Sequence, residues 1–242
     1  MIGAVLNSAG ILLGAVVGWL GWSAWPVRFE VFCRSLLAAS TAFFGLRLVW
    51  LSLDGTWSAQ LLQIVLAISS VALGGVLGKL LRVQKLSNRL GRWALQFITA
   101  AQKHPRGGAQ EGFLAVTTLF CAAPLGIIGA VADGLAGYFP LLAVKALMDG
   151  LAVAGFTRVF RWPFALAAVP VYLFLEIVSQ SAHDVLLPLL DAHQLTGSVN
   201  AAAGLLACLV TLVVTGARRV ELAGFLPALP VAPLLAWLVS KL

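Results

Sequence analysis

The sequence predicts an all-α fold, a polytopic transmembrane helix bundle of about eight spans plus one cytoplasmic amphipathic helix. Three observations carry this. Of the 242 residues, 61% are hydrophobic and only 10% are charged, against roughly 25% charged in a soluble domain. The apolar residues fall in runs of about 20, the length a helix needs to cross a bilayer core. The basic residues gather in alternate loops, as the positive-inside rule requires.

The spans are read in chain order as Ile2–Trp22, Ser35–Leu53, Trp57–Gly78, Gly112–Ala132, Tyr138–Phe156, Pro163–Ala182, Gly197–Thr215 and Leu222–Ser240. In the last of these, Pro227, Pro230 and Pro233 remove backbone donors and predict a kink or break. Pro124 predicts the same in span four and Pro170 in span six. The whole chain, 1–242, is one integral membrane domain, with residues 79–111 forming a basic segment inside it.

Net charge is +7 and the pI about 9.9. Arg28 and Arg34 follow span one. Lys79, Arg82, Lys85, Arg89, Arg92, Lys103 and Arg106 follow span three, Arg158 and Arg161 follow span five, and Arg218 and Arg219 follow span seven. That places 13 of 16 basic residues on one side. The opposite loops carry Asp54, Asp133, Asp184 and Asp191, and only Lys241 joins them from the basic set. The rule makes the basic side cytoplasmic and puts both termini in the periplasm. Charge arranged this way orients a membrane protein, and no nucleic-acid partner is expected.

Within 79–111, Val83, Leu86, Leu90, Trp93, Ala94, Phe97 and Ile98 recur at helical spacing with Lys85, Arg89 and Arg92 between them. This predicts an amphipathic helix on the inner leaflet, its basic face held by anionic headgroups. The His104-Pro105-Arg106-Gly107-Gly108 segment ends it in a turn.

Gly10, Gly14 and Gly18 make a double GxxxG stripe on span one, and Gly74 and Gly78 a single one on span three. Such stripes let helix backbones approach closely and permit a homo-oligomer. Asn7-Ser8-Ala9-Gly10-Ile11-Leu12-Leu13-Gly14 resembles Asn200-Ala201-Ala202-Ala203-Gly204-Leu205-Leu206-Ala207 with one residue inserted, the pattern of a parallel repeat. Cys33, Cys121 and Cys208 offer no CxxC and read as buried free thiols. The first apolar run lacks a basic n-region, so it reads as a span rather than a cleavable signal. Trp22, Trp25, Trp50, Trp57 and Trp237 lie near span ends as interfacial anchors.

Four ionisable side chains fall inside spans: Arg47, Lys145, Asp149 and Glu176. Each costs at least about 2.5–3.5 kcal/mol at a helix centre unless paired or wetted, so all four are expected to face the bundle interior. Arg47, Lys145 and Glu176 are expected at one level, roughly 10 Å below the outer surface, with Asp149 nearer the midplane. Lys145 and Asp149 stand at i and i+4 and share a helix face. Asn7, Gln63 and Asn200 lie at similar or shallower depth, Asp133 borders the outer side, and Ser69, Ser70, Thr117 and Thr118 lie deeper. Together these residues suggest a polar cavity open to the outside and ending at Asp149, the position of a transporter site. The alternative is a closed ion-pair network that serves helix packing.

The chain holds no GxSxG, HExxH, Walker loop or GxGxxG at a strand–helix junction, so an enzyme is not expected, nor a cofactor. His183, Asp184, Asp191 and His193 have metal-ligand chemistry but read as solvated loop residues, and no metal site is assigned.

The segment Phe120-Cys121-Ala122-Ala123-Pro124-Leu125-Gly126-Ile127-Ile128-Gly129-Ala130-Val131-Ala132-Asp133-Gly134, followed by Lys145-Ala146-Leu147-Met148-Asp149-Gly150, resembles the YqgA/YdfK-like bacterial membrane proteins, domain-of-unknown-function family 554. The opening Gly3-Ala4-Val5-Leu6-Asn7 and the late Leu226-Pro227-Ala228 resemble the family's ends. Lys145 and Asp149 match its pattern, whereas Gly224 and Glu176 stand where it usually has Asn and Gln. The resemblance implies an uncharacterised protein of the bacterial inner membrane. The residues favour a small-solute or ion transporter or channel, with a non-transporting structural or signalling protein as the alternative.

Overall fold

The computed structural model describes residues 1–21, 26–103, 109–160, 162–218 and 220–241. Every regular element among them is helical: α1 (Ile2–Trp19), α2 (Val27–Leu51), α3 (Trp57–Leu80), α4 (Val83–Lys103), α5 (Ala109–Ala122), α6 (Pro124–Ala136), α7 (Pro140–Phe160), α8 (Ala168–Ser181), α9 (Leu187–Asp191), α10 (Thr196–Val214) and α11 (Ala228–Val239). Short 3-10 turns, Trp162–Ala167 and Leu222–Phe225, lead into α8 and α11. Trp22, Trp25, Arg161, Arg219 and the His104–Gly108 turn lie outside the described residues.

Seven helical segments are long and apolar enough to cross a membrane, and α5 with α6 makes an eighth span bent by 55°. The packing register shows that this bent pair crosses rather than returns. Gly10, Gly14 and Gly18 of α1 meet Ala146, Gly150 and Ala154 of α7 in increasing order, so α1 and α7 run parallel. Parallel first and fifth spans require three crossings between them, and α5–α6 supplies one. By contrast α2 and α10 run antiparallel, Gly45 meeting Gly204 and Gly197 meeting Ser52. So do α3 and α11 with its leading turn, where Gly74 meets Ala228 and Gly78 meets Gly224. One end of the bundle gathers Met1, the α6 C-terminus and the α8 C-terminus. The other gathers α4, the start of α5 and the two 3-10 turns.

Two layers result. α6, α7 and α10 are buried nearly all round, with Leu141, Leu142, Val144, Ala203 and Leu206 fully enclosed. α1, α2, α3, α8 and α11 surround them and turn large apolar residues such as Leu13, Phe43, Val65 and Ile177 outward, as lipid-facing helices do. Backbone contacts this short are possible only where no side chain intervenes. A Cβ on Gly14 would stand 2.1 Å from the Gly150 carbonyl oxygen, and one on Gly78 1.7 Å from that of Gly224. The stripes read as helix-packing faces are therefore used inside this chain.

Several sequence expectations change. Pro124 breaks span four as expected, at Ala123. Pro170 breaks nothing, because it sits in the first turn of α8, where the missing N–H has no intrahelical partner to lose. The helical path there continues through a π turn, Ala182–Leu186, into α9. Most of the expected outer loop of His183, Asp184 and Asp191 is thus helical. Pro227 separates the last 3-10 turn from α11, which runs on through Pro233.

The expected amphipathic helix is present as α4, but its inner face differs. Ala94 is fully buried, with Val83, Ser87, Leu90, Phe97 and Ile98 half-buried around it, against α5. Leu86 and Trp93 remain outside. The helix lies on the bundle itself, because α5 begins beneath it and offers an apolar surface.

Glycine positions test this packing. Gly14→Ala inserts a methyl group into the Gly150 backbone and is expected to cost at least about 1–3 kcal/mol. Gly91→Ala, in α4 with nothing within 4 Å, is expected to be neutral or to gain up to about 1 kcal/mol of helix propensity. Thermal unfolding of the two variants in detergent should therefore move apart, Gly14→Ala downward.

Candidate functional site

Five helices converge on one buried polar group. Lys145 and Asp149 lie one turn apart on α7, and their side chains form an ion pair. Lys145 is 1% and Asp149 6% exposed. Asn7 of α1, fully buried, donates its Nδ2 to Asp149 Oδ2 at 3.0 Å. The parallel α1–α7 approach brings this about, since Asn7 stands one turn before Gly10. Phe120 of α5 lies under the ammonium, its ring centroid 5.4 Å from Lys145 Nζ, close enough for a cation–π contact. Gly126 of α6 supplies the space: a Cβ there would be 2.8 Å from Lys145 Cε. Leu175 of α8, also beside Gly126, closes the apolar wall.

The group sits at the α5–α6 break. Asp149 is nine residues into α7, about 13 Å from its N-terminal end and so near the middle of a span that crosses a 30 Å core. Where α5 stops, its last carbonyls have no partner in their own helix, and where α6 starts its first N–H groups are free. Among the described residues one is retrieved locally, the Gly126 N–H donating to Ala123 O at 2.9 Å. An interrupted helix beside paired charges at mid-depth presents donors, acceptors and both signs of charge together. Asn7 Oδ1 and Thr117 Oγ1 are buried and have no hydrogen-bond partner among the described residues.

A second group lies nearer the end of the bundle that holds Met1. Asp133, 4% exposed near the end of α6, accepts the Gly3 N–H at 3.1 Å. The first turn of α1 carries a partial positive charge and compensates the carboxylate. The Met1 ammonium pairs with Glu176 Oε1 at 2.6 Å, to which Gln180 also donates at 3.1 Å. Ser179 donates to Met1 Sδ at 2.8 Å. Glu176 Oε2 is buried with no partner among the described residues.

The predicted set is therefore divided. Asn7, Lys145 and Asp149 come together, and Asp133 and Glu176 form the second group, at the Met1 end. Arg47 does not join them. It is exposed on α2 in a groove of about 500 Å³ with Trp50, Trp57 and Leu61. It lies four residues from the helix end, about 6 Å, so its long stem reaches the interface and needs no interior partner. Gln63 closes the α2–α3 turn, exchanging hydrogen bonds with the Asp54 backbone at 3.1 Å each. Asn200 is buried on α10, whose main neighbours are α2, α3, α6 and α11; its Oδ1 lacks a partner among the described residues. The expected cavity open from outside to Asp149 is closed at the pair itself. Phe120 and Gly126 belong to the site, and the only sequence signal for them is their place around Pro124.

The other loop residues are engaged separately. His183 Nδ1 faces the Gly134 carbonyl at 3.3 Å, and Asp191 accepts from Thr196 at 2.5 Å. No group of three His, Cys, Asp or Glu side chains with metal-binding geometry occurs among the described residues.

Unpairing one member of the buried couple should cost more than removing both. Lys145→Met leaves Asp149 with Asn7 alone and is expected to lose about 3–5 kcal/mol, while Lys145→Met with Asp149→Leu should recover most of it. A double-mutant cycle by thermal unfolding checks this; additive losses would contradict direct pairing.

The comparisons with known proteins give the family. Over 236 residues the chain is 28% identical to "Uncharacterized protein YqgA" of Escherichia coli (strain K12), covering 96% of this chain and 94% of the relative. Over 246 residues it is 20% identical to "Uncharacterized membrane protein YdfK" of Bacillus subtilis (strain 168), covering 99% and 97%. No solved structure matches it. The family model described as "Protein of unknown function (DUF554)" matches residues 2–237, and the chain belongs to that family.

Proposed function

We propose that the protein moves a small solute or ion across the bacterial inner membrane through the polar group around Lys145 and Asp149. The observation that carries the reading is the placement of a buried Lys–Asp–Asn cluster at the break of the α5–α6 span. Ionised groups at mid-depth are costly and mark pathways by default, and discontinuous spans beside them are the usual way a transporter presents backbone groups to its cargo. In this reading Lys145 holds an anionic group of the cargo, released from Asp149. Asp149 takes a cation or a proton, and Asn7 holds the carboxylate in place. Asp133 and Glu176 form the outer approach. The closed pair corresponds to an occluded state, opened by movement of α6 against α7.

The basic end of the bundle, with Arg28, Arg34, Lys79, Arg82, Lys85, Arg89, Arg92 and Arg218, faces the cytoplasm in this reading. Both termini then face the periplasm, as the positive-inside rule implies. A cysteine placed at Arg89 in a background lacking Cys33, Cys121 and Cys208 is expected to resist a membrane-impermeant maleimide in intact cells and to react after lysis. One at Asp184 is expected to react in intact cells. The reverse pattern would overturn the orientation.

One observation favours the alternative, a structural or signalling membrane protein: Lys145 and Asp149 neutralise each other and are sealed from solvent. Charge-translocation currents from proteoliposomes separate the two. Under the transport reading, at least one probe among protons, sodium, potassium, chloride, phosphate and amino acids gives a saturable current. Asp149→Asn, which keeps size and hydrogen bonding, lowers that current at least tenfold while the purified protein stays monodisperse. Absence of any current from the parent, together with a lowered melting temperature in Asp149→Asn, would favour packing.

A further inference from the structure

Away from the buried cluster, the most strongly charged surface is the outward side of α4. Lys85, Arg89 and Arg92 follow at steps of four and three residues, which confines them to about 60° of the α4 circumference, and Arg82 stands in the turn just before the helix. All four are exposed. With Ser87, Asn88 and Gly91 they line a groove of 1020 Å³. α4 carries no acidic residue, and among the described residues no carboxylate pairs with any of the four cations. The opposite face of the helix is already committed to α5, and Gln84 Oε1 accepts the Gly224 N–H of the last 3-10 turn at 3.3 Å. The stripe is thus held rigidly outward.

Its level in the membrane follows from its connection. It begins at Arg82, in the turn where α3 leaves the apolar layer, so it stands where the headgroups are. Leu80 and Leu81, 73% and 68% exposed, lie on the apolar side of that turn. Leu86 and Trp93 share one edge of the stripe at helical spacing and are also exposed. Four unpaired cations with hydroxyl and amide donors beside them, bordered by exposed leucines, match an anionic headgroup and its chains. An acidic protein or a nucleic acid would use the charges but leave the leucines unused.

We propose that the Arg82–Lys85–Arg89–Arg92 stripe binds the phosphate headgroups of anionic phospholipid in the leaflet at the basic end of the bundle. Polybasic segments at this depth are attracted to anionic leaflets, and guanidinium groups hold phosphate by two parallel hydrogen bonds. α4 packs on α5, which ends at the Ala123 break, so lipid bound here rests on the same element that lines the buried cluster.

The test uses the purified full chain in neutral detergent, titrated with dioleoylphosphatidylglycerol or dioleoylphosphatidylcholine and read by melting temperature. Phosphatidylglycerol is expected to raise it saturably and phosphatidylcholine not. In R82Q/K85Q/R89Q/R92Q, whose buried α4 face is untouched, the phosphatidylglycerol midpoint should weaken at least tenfold. R82K/R89K/R92K, which keeps the charge, should retain the selectivity and so guards against a variant that merely misfolds. An unchanged midpoint in the neutral variant would overturn the proposal. So would saturation by inorganic phosphate, polyglutamate or single-stranded DNA at concentrations that match the lipid.

Discussion

Gly10, Gly14 and Gly18 bring α1 so close to α7 that its backbone touches the carbonyls of Ala146 and Gly150, and the charged interior depends on that approach. In hydrocarbon no hydrophobic drive holds helices together, so close backbone contact must supply the association. Having supplied it, the contact fixes a register. Asn7 falls opposite Asp149, Gly3 opposite Leu142 and Asp133, and Met1 reaches Glu176. Asp133 and Glu176 draw Gly3 and Met1 from the start of α1 and would lose them if it slid by one turn, and Asp149 would lose Asn7 and keep Lys145 alone. The small residues therefore decide the electrostatics indirectly, through position.

The helical membrane architecture was legible in the sequence because hydropathy and loop charge are one-dimensional signals. Eight apolar runs, the break at Pro124 and the α4 periodicity all have direct counterparts in the structure. The pairing of Lys145 with Asp149 was legible for the same reason, being an i, i+4 relation within one helix. The assembly of helices was not. Arg47, Lys145 and Glu176 fall at similar depths along the chain, but depth says nothing of azimuth. Arg47 points outward, and Glu176 meets the Met1 ammonium instead of a lysine. Gln63 and Asn200, also placed by depth, proved to be a turn clasp and a residue of a different interface. Gly126 and Phe120 were hidden because making room and offering a ring face have no composition signature.

The charges sort by the cost of hydrocarbon at their position. Arg47, within a turn of a helix end, escapes by its own length. Lys145 is too deep to do so and is enclosed instead by a carboxylate, an aromatic ring and a glycine gap. Lys85, Arg89 and Arg92 of α4 are exposed, with no carboxylate partner among the described residues. One chain thus shows three ways of accommodating a cation at three depths, and only the enclosed one constrains helix packing.

The parallel contact between α1 and α7 has a consequence for how the chain is made. Asn7 and Asp149 are 142 residues apart. At about 5–20 residues per second of synthesis, α1 waits on the order of ten seconds before its partner leaves the ribosome. During that interval its glycine face meets only lipid or the insertion machinery, and Asn7 has no carboxylate to hold. Assembly of the charged interior must therefore follow insertion of at least five spans, and a nascent chain arrested before α7 is a bundle without its keystone, open to membrane proteases.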